Sequence, residues 1–179
     1  MNLPNTISLL RLALVPLVVW LILENMIWES FGVFVLAGVS DALDGFIAKQ
    51  FNMETELGKY LDPLADKALL VSVYVTLGQQ GYLASWLVIL VVFRDAMIVG
   101  GVILFQTLEQ AMAMRPLLIS KVNTTAQIVL AGVVLGGYGL SWDLHGFVDI
   151  LAYIVGATTA VSGVVYVIRA FRHASGLDA

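Results

Sequence analysis

The chain has 179 residues, of which 60% are hydrophobic and only 12% charged. A soluble domain carries about 25% charged residues, so the composition excludes one and indicates a single-domain integral membrane protein, with a lipid bilayer and no nucleic acid as its surroundings. Cysteine is absent, which excludes disulfides, thiolate zinc sites, haem attachment and iron–sulfur clusters, while the formal net charge of −4 says little until the charges are placed.

In chain order, six apolar spans are predicted at roughly 8–24, 31–50, 58–78, 83–106, 118–138 and 147–170, an all-α membrane bundle. Residues 2–7 read as a short lead-in, with Pro4 suited to a first helical turn and Asn5 or Thr6 as candidate caps. The start lacks a basic segment ahead of the apolar run and lacks a small-residue cleavage site, so it is read as a retained helix. The basic residues are Arg11, Lys49, Lys59, Lys67, Arg94, Arg115, Lys121, Arg169 and Arg172. The connections at 25–30, 78–82 and 139–146 contain none of them. The positive-inside rule therefore puts both termini and the connection near 51–57 in the cytoplasm. Trp28, Trp86 and Trp142 fall towards the opposite surface, as an aromatic belt would. On the fifth span, Gly132 and Gly136 form a small-xxx-small pair, either a helix-packing face or ordinary glycines of a membrane helix.

The chemistry concentrates in residues 41–67, DALDGFIAKQFNMETELGKYLDPLADK. Carboxylates at membrane depth are costly and mark functional sites. Asp41 and Asp44 are three apart at the end of the second span, and Asp62 and Asp66 are four apart at the start of the third. Each pair shares a helix face. A short loop makes the two helices antiparallel, so four carboxylates converge near the cytoplasmic edge. They repel unless cations intervene, and an all-oxygen set suits magnesium or manganese. Four aspartates can hold two ions, with one carboxylate shared as a base, a pattern fitted to diphosphate chemistry. Gly45, Ala48 and Gly58 are small enough to admit a nucleotide against the backbone, or serve helix packing alone.

The run Asp41-x2-Asp44-Gly45-x2-Ala48-Lys49-x8-Gly58-x3-Asp62-x3-Asp66 resembles the signature of the CDP-alcohol phosphatidyltransferases. Lys49 stands where that family usually has arginine, so charge is kept and the planar fork is lost. The opening NLPNTISLLRLALVP and the run LDPLADKALL are similar to both cardiolipin and phosphatidylglycerophosphate synthases of the family. FRDAMIVGG (93–101) and PLLISKVNTTAQIVL (116–130) are more similar to eukaryotic-type cardiolipin synthases, which also occur in bacteria. The resemblance implies a six-helix membrane enzyme, commonly a homodimer, with a polar cavity open to the cytoplasm. It implies that Asp41, Asp44 and Asp62 are metal ligands, with Asp66 as catalytic base and a further metal contact. Gly45, Ala48 and Gly58 would line the nucleotide pocket, with Lys49, Asn5, Thr6 and Arg11 within its reach. The expected reaction transfers the phosphatidyl group of CDP-diacylglycerol to phosphatidylglycerol and releases CMP. Glycerol 3-phosphate is the alternative acceptor.

The acceptor's own phosphate needs a cation, and Arg94, Lys121 and Arg115 are the candidates. Arg94 leads because a mid-span arginine must face the bundle interior; its alternative is an ion pair with Asp95 or with the aspartate cluster. Ser120, Asn123 and Thr124 either add hydrogen bonds to the acceptor or cap the fifth helix. Lys67 is placed to balance the charge of Asp66. Two other classes compete. A membrane prenyltransferase would carry two aspartate motifs far apart, and a cation-coupled transporter would show inverted repeats or broken helices; neither pattern is present. The expected location is a bacterial inner membrane.

Overall fold

The computed structural model describes residues 3–50, 56–107 and 118–174, with side chains described for residues 7–41, 43, 64–101, 118–144, 146–169, 171 and 172. All regular structure among them is helical: α1 (Leu3–Leu23), α2 (Ile27–Gln50), α3 (Glu56–Gln79), α4 (Ser85–Thr107), α5 (Leu118–Gly139) and α6 (His145–Ala174). Each predicted span falls on one helix. The lead-in differs from expectation. α1 runs from Leu3, so Asn5 and Thr6 lie within the helix rather than ahead of it, while Pro4 sits in the first turn, where its missing N–H is harmless. Leu118–Gly139 and Gly146–Arg169 are long and apolar enough to cross a membrane, and Ile7–Leu23 is a shorter apolar helix.

Three helices end in the same way. After α1, Met26 N–H donates to the Leu21 carbonyl (2.9 Å) and Asn25 N–H to that of Ile22 (3.1 Å). After α3, Tyr82 donates to Leu77 (2.9 Å) and Gly81 to Gly78 (3.2 Å). After α5, Trp142 donates to Gly137 (2.9 Å) and Ser141 to Tyr138 (3.0 Å). These are Schellman closures, which satisfy terminal carbonyls by placing one residue in the left-handed region. Those residues are Asn25 (φ 60°), Gly81 (φ 81°) and Ser141 (φ 57°). Glycine adopts this conformation freely and asparagine tolerates it, whereas serine is strained there by about 1 kcal/mol. Ser141→Gly is therefore expected to raise the thermal midpoint by about 2–4 °C, read in a detergent-solubilised melt.

The helices divide into two compact units. The first comprises residues 1–83 and 131–145, thus α1, α2, α3 and the last part of α5. Within it α1 packs against both α2 and α3. The buried stripes follow helical spacing: Ser8, Arg11, Val18 and Ile22 on α1; Ile27, Ser30, Phe34 and Ala37 on α2; Ala65, Leu69, Val73 and Leu77 on α3. Asp41 continues the α2 stripe by one more turn, and Asp66 stands next to Ala65 at the start of that on α3. The glycines of α5 let it approach α2. A Cβ on Gly139 would lie 3.0 Å from the Trp28 Cα, and one on Gly136 would lie 3.3 Å from the Phe31 ring. Gly132 has nothing within 4 Å, so the expected glycine pair packs through Gly136 alone.

The second unit comprises residues 84–130 and 146–179. Its stripes are Leu87, Val91 and Arg94 on α4; Asn123, Gln127 and Leu130 on α5; and Val148, Ala152, Val155, Thr159 and Ser162 on α6. Each stripe is apolar over one part and polar over the other. The Trp86 ring lies over Gly156, where a Cβ would come within 2.7 Å of it, and stacks on Tyr153 with centroids 5.6 Å apart. Trp28, Trp86 and Trp142 are all substantially exposed, at the starts of α2 and α4 and in the turn after α5.

Candidate active site

In the first unit, one guanidinium organises the acidic groups. Arg11 Nη1 lies 2.6 Å from Asp41 Oδ1 and 2.6 Å from Asp66 Oδ1. The Arg11 side chain is 1% exposed, whereas those of Asp41 and Asp66 are 42% and 44% exposed. The arginine therefore stands behind the two carboxylates, and the carboxylates present an open side. α1 supplies the cation because Arg11 falls on its buried stripe, one turn from Ser8. α2 and α3 supply the anions because their stripes turn from apolar to acidic where the two helices are joined.

The structure thus brings Asp41 and Asp66 together, as the spacing predicts. It also gives Arg11 a place beside the aspartates; the sequence reading had it within reach of the nucleotide. Asp44 and Asp62 fall in α2 and α3, but their side chains lie outside the described residues, as do those of Asn5, Thr6, Gly45, Ala48, Lys49 and Gly58. Arg115 lies outside them altogether. Among the described residues no group of three acidic or histidine side chains is assembled. The described pair nevertheless fits a divalent cation. Its donors are hard carboxylate oxygens, they come from two helices to one point, and both side chains keep an open side.

In the second unit, Arg94 is 2% exposed, and its reach is largely taken up. Nη1 donates to Asp95 Oδ1 at 2.7 Å, and Nη2 donates to Ser120 Oγ at 2.6 Å and to Ser162 Oγ at 2.5 Å. The ion pair with Asp95, the alternative given for this arginine, is present. Asn123 is fully buried in the interior of α5, where it caps nothing. Its Oδ1 accepts from Thr158 Oγ1 (2.9 Å) and Thr159 Oγ1 (2.8 Å). Arg94 Nε and Asn123 Nδ2 are buried donors without a hydrogen-bond partner among the described residues. Lys121 is exposed. Sequence reasoning missed Thr158, Thr159 and Ser162. Their signal was available: Thr159 and Ser162 continue the register of Val148, Ala152 and Val155, and a polar residue on the inward face of an apolar span is costly.

The family model for CDP-alcohol phosphatidyltransferase matches residues 1–166. The chain is similar to the chloroplastic CDP-diacylglycerol–glycerol-3-phosphate 3-phosphatidyltransferase 1 of Oryza sativa subsp. japonica, 35% identical over 94% of this chain and 57% of that one. It is 33% identical to the cardiolipin synthase (CMP-forming) of Rattus norvegicus, over 92% of this chain and 60% of that one. With the CDP-diacylglycerol–glycerol-3-phosphate 3-phosphatidyltransferase of Bacillus subtilis (strain 168) it shares 31% identity, over 90% and 91%. It therefore spans about three fifths of the rice and rat proteins and most of the Bacillus one. The acidic motif, the all-helical architecture and the match over nearly the whole sequence agree: the chain belongs to the CDP-alcohol phosphatidyltransferase family.

Proposed function

We propose that the protein transfers the phosphatidyl group of CDP-diacylglycerol to phosphatidylglycerol, forming cardiolipin and releasing CMP. The observation that carries the reaction class is the meeting of Asp41 and Asp66 at one cation, with their open sides outward, inside the family's acidic motif. Asp41, Asp44, Asp62 and Asp66 would hold magnesium or manganese, as two ions. The metal, when bound, offsets the diphosphate charge and stabilises the CMP leaving group. Asp66 takes the proton of the acceptor hydroxyl. The hydroxyl oxygen then bonds to the β-phosphorus of CDP-diacylglycerol, and the bond from that phosphorus to the CMP oxygen breaks. Gly45, Ala48 and Gly58 leave room for the nucleotide, with Lys49, Asn5 and Thr6 around it.

The acceptor's phosphate is assigned to the second unit's polar residues: Arg94, Ser120 and Asn123, with Lys121 and Arg115 as further cations. The unmet donors on Arg94 Nε and Asn123 Nδ2 support this, because buried donors normally find a partner. Residues 1–179 act as one membrane domain of six spans, with both termini and the active site cytoplasmic, as a homodimer in a bacterial inner membrane. The segments FRDAMIVGG and PLLISKVNTTAQIVL favour phosphatidylglycerol as acceptor. The names of the rice and Bacillus relatives favour the second reading, glycerol 3-phosphate.

The test is the purified protein with CDP-diacylglycerol and each acceptor in turn. Cardiolipin is the expected lipid product, with CMP release that a chelator abolishes and added magnesium or manganese restores. Phosphatidylglycerophosphate as the product would establish the second reading. Absence of CMP release with either acceptor would overturn both.

A further inference from the structure

Arg11 is the feature that the proposed chemistry leaves unused. With Arg94 it is the largest of the fully buried side chains among the described residues, and it comes from a helix that carries none of the four aspartates. A charge so deeply placed is costly unless it is paired, and here one nitrogen serves two carboxylates from two other helices. The exposures set the geometry. The guanidinium lies on the closed side at 1%, and the carboxylates remain 42% and 44% open. A ligand approaching from the open side meets carboxylates whose far oxygens are already held.

We propose that Arg11 is a positioning residue for the metal ligands. It fixes the two from behind, Asp66 by a hydrogen bond to Oδ1 and Asp41 by an ion pair at Oδ1, so that the pair presents its open side to a divalent cation. This rests on the metal role given to the aspartates above. Two effects oppose each other. A buried positive charge repels an incoming cation, which lowers affinity. Holding two like-charged groups in place removes the repulsion and ordering that the cation would otherwise have to offset, which raises it. Orientation of ligating carboxylates by an outer hydrogen-bonding partner is worth roughly 10–100-fold in metal affinity. Arg11 is bonded to both members of the pair, so the ordering effect dominates. The two-helix reach also matters. Without Arg11, nothing on α1 among the described ion pairs ties α2 to α3 at the acidic end.

The experiment uses the full chain in detergent, with manganese binding followed by electron paramagnetic resonance and thermal stability measured in chelator. Arg11→Met keeps the length of the side chain and removes the charge and the donors. It is expected to weaken manganese binding by roughly 10–100-fold. Arg11→Lys, whose single ammonium can still serve two oxygens, is expected to retain more of the affinity than Arg11→Met. An unchanged dissociation constant in Arg11→Met, even with a lowered melting point, would make the arginine a packing residue only and overturn the proposal. Tighter binding would overturn it too, by showing that the guanidinium competes with the metal. If Arg11→Met does not fold, Arg11→Gln takes its place under the same criteria. Failure of both to fold in manganese as well as in chelator would assign Arg11 to folding and overturn the proposal. A wild-type protein that binds no manganese would remove the metal reading itself, an outcome distinct from variants that match a manganese-binding wild type.

Discussion

Asp66→Asn is expected to reduce phosphatidyl transfer by roughly 10²–10⁴-fold, the range that a positioned general base contributes. The amide cannot take the acceptor's proton. It can still accept a hydrogen bond from Arg11 through its carbonyl oxygen, and Asp41 remains to pair with the guanidinium at 2.6 Å. The substitution should therefore leave the first unit folded and nucleotide binding largely intact. The measurements are CMP release for the rate and equilibrium binding of a CDP-containing ligand for the site. Near-normal turnover would refute the base assignment. Loss of binding equal to the loss of rate would move Asp66 from proton transfer to ligand binding.

Arg94→Met should be the most destabilising of the substitutions considered, at about 3–5 kcal/mol. Asp95 would keep its charge in the second unit's interior without the guanidinium now 2.7 Å away, and Ser120 and Ser162 would lose a shared donor. Removing both charges avoids that penalty, because replacing a buried pair with apolar side chains is often neutral. The double change Arg94→Met with Asp95→Leu is expected to recover most of the stability, read as denaturation midpoints in detergent. That folded variant then isolates function. Use of the phosphate-bearing acceptor should fall while binding of CDP-diacylglycerol persists. Equal loss at both substrates would place Arg94 at the donor site or in the fold alone.

The two predictions mark how far the sequence was legible. The helices follow from apolar length, because a long apolar stretch must satisfy its backbone internally and few other ways of doing so exist. Asp41 and Asp66 could be brought together on paper because helical spacing and a short connection constrain both. Arg94 stands out as a costly charge inside an apolar stretch, and its pairing with Asp95 is one of the three outcomes that this cost permits. The α6 hydroxyls carry only a weak signal in the sequence: Thr159 and Ser162 share the register of Val155, but threonine and serine occur widely in apolar helices and burial is what marks these as inward. The resemblance puts Arg11 within reach of the nucleotide, and nothing in the sequence pairs it with the aspartates. Its distance in sequence from the aspartates gives no register between α1 and the α2–α3 pair.

The sequence by itself determined the helices, the family and the acidic motif, since these depend on composition and on spacing within one or two neighbouring segments. The tertiary structure decided which groups face each other across helices: Arg11 behind Asp41 and Asp66, and Ser162 with Ser120 around Arg94. The physical reason is the same in both cases. Periodicity fixes which face of a helix a residue occupies, but the partner that face meets depends on how helices distant in sequence pack, and no local pattern encodes that rotation and offset.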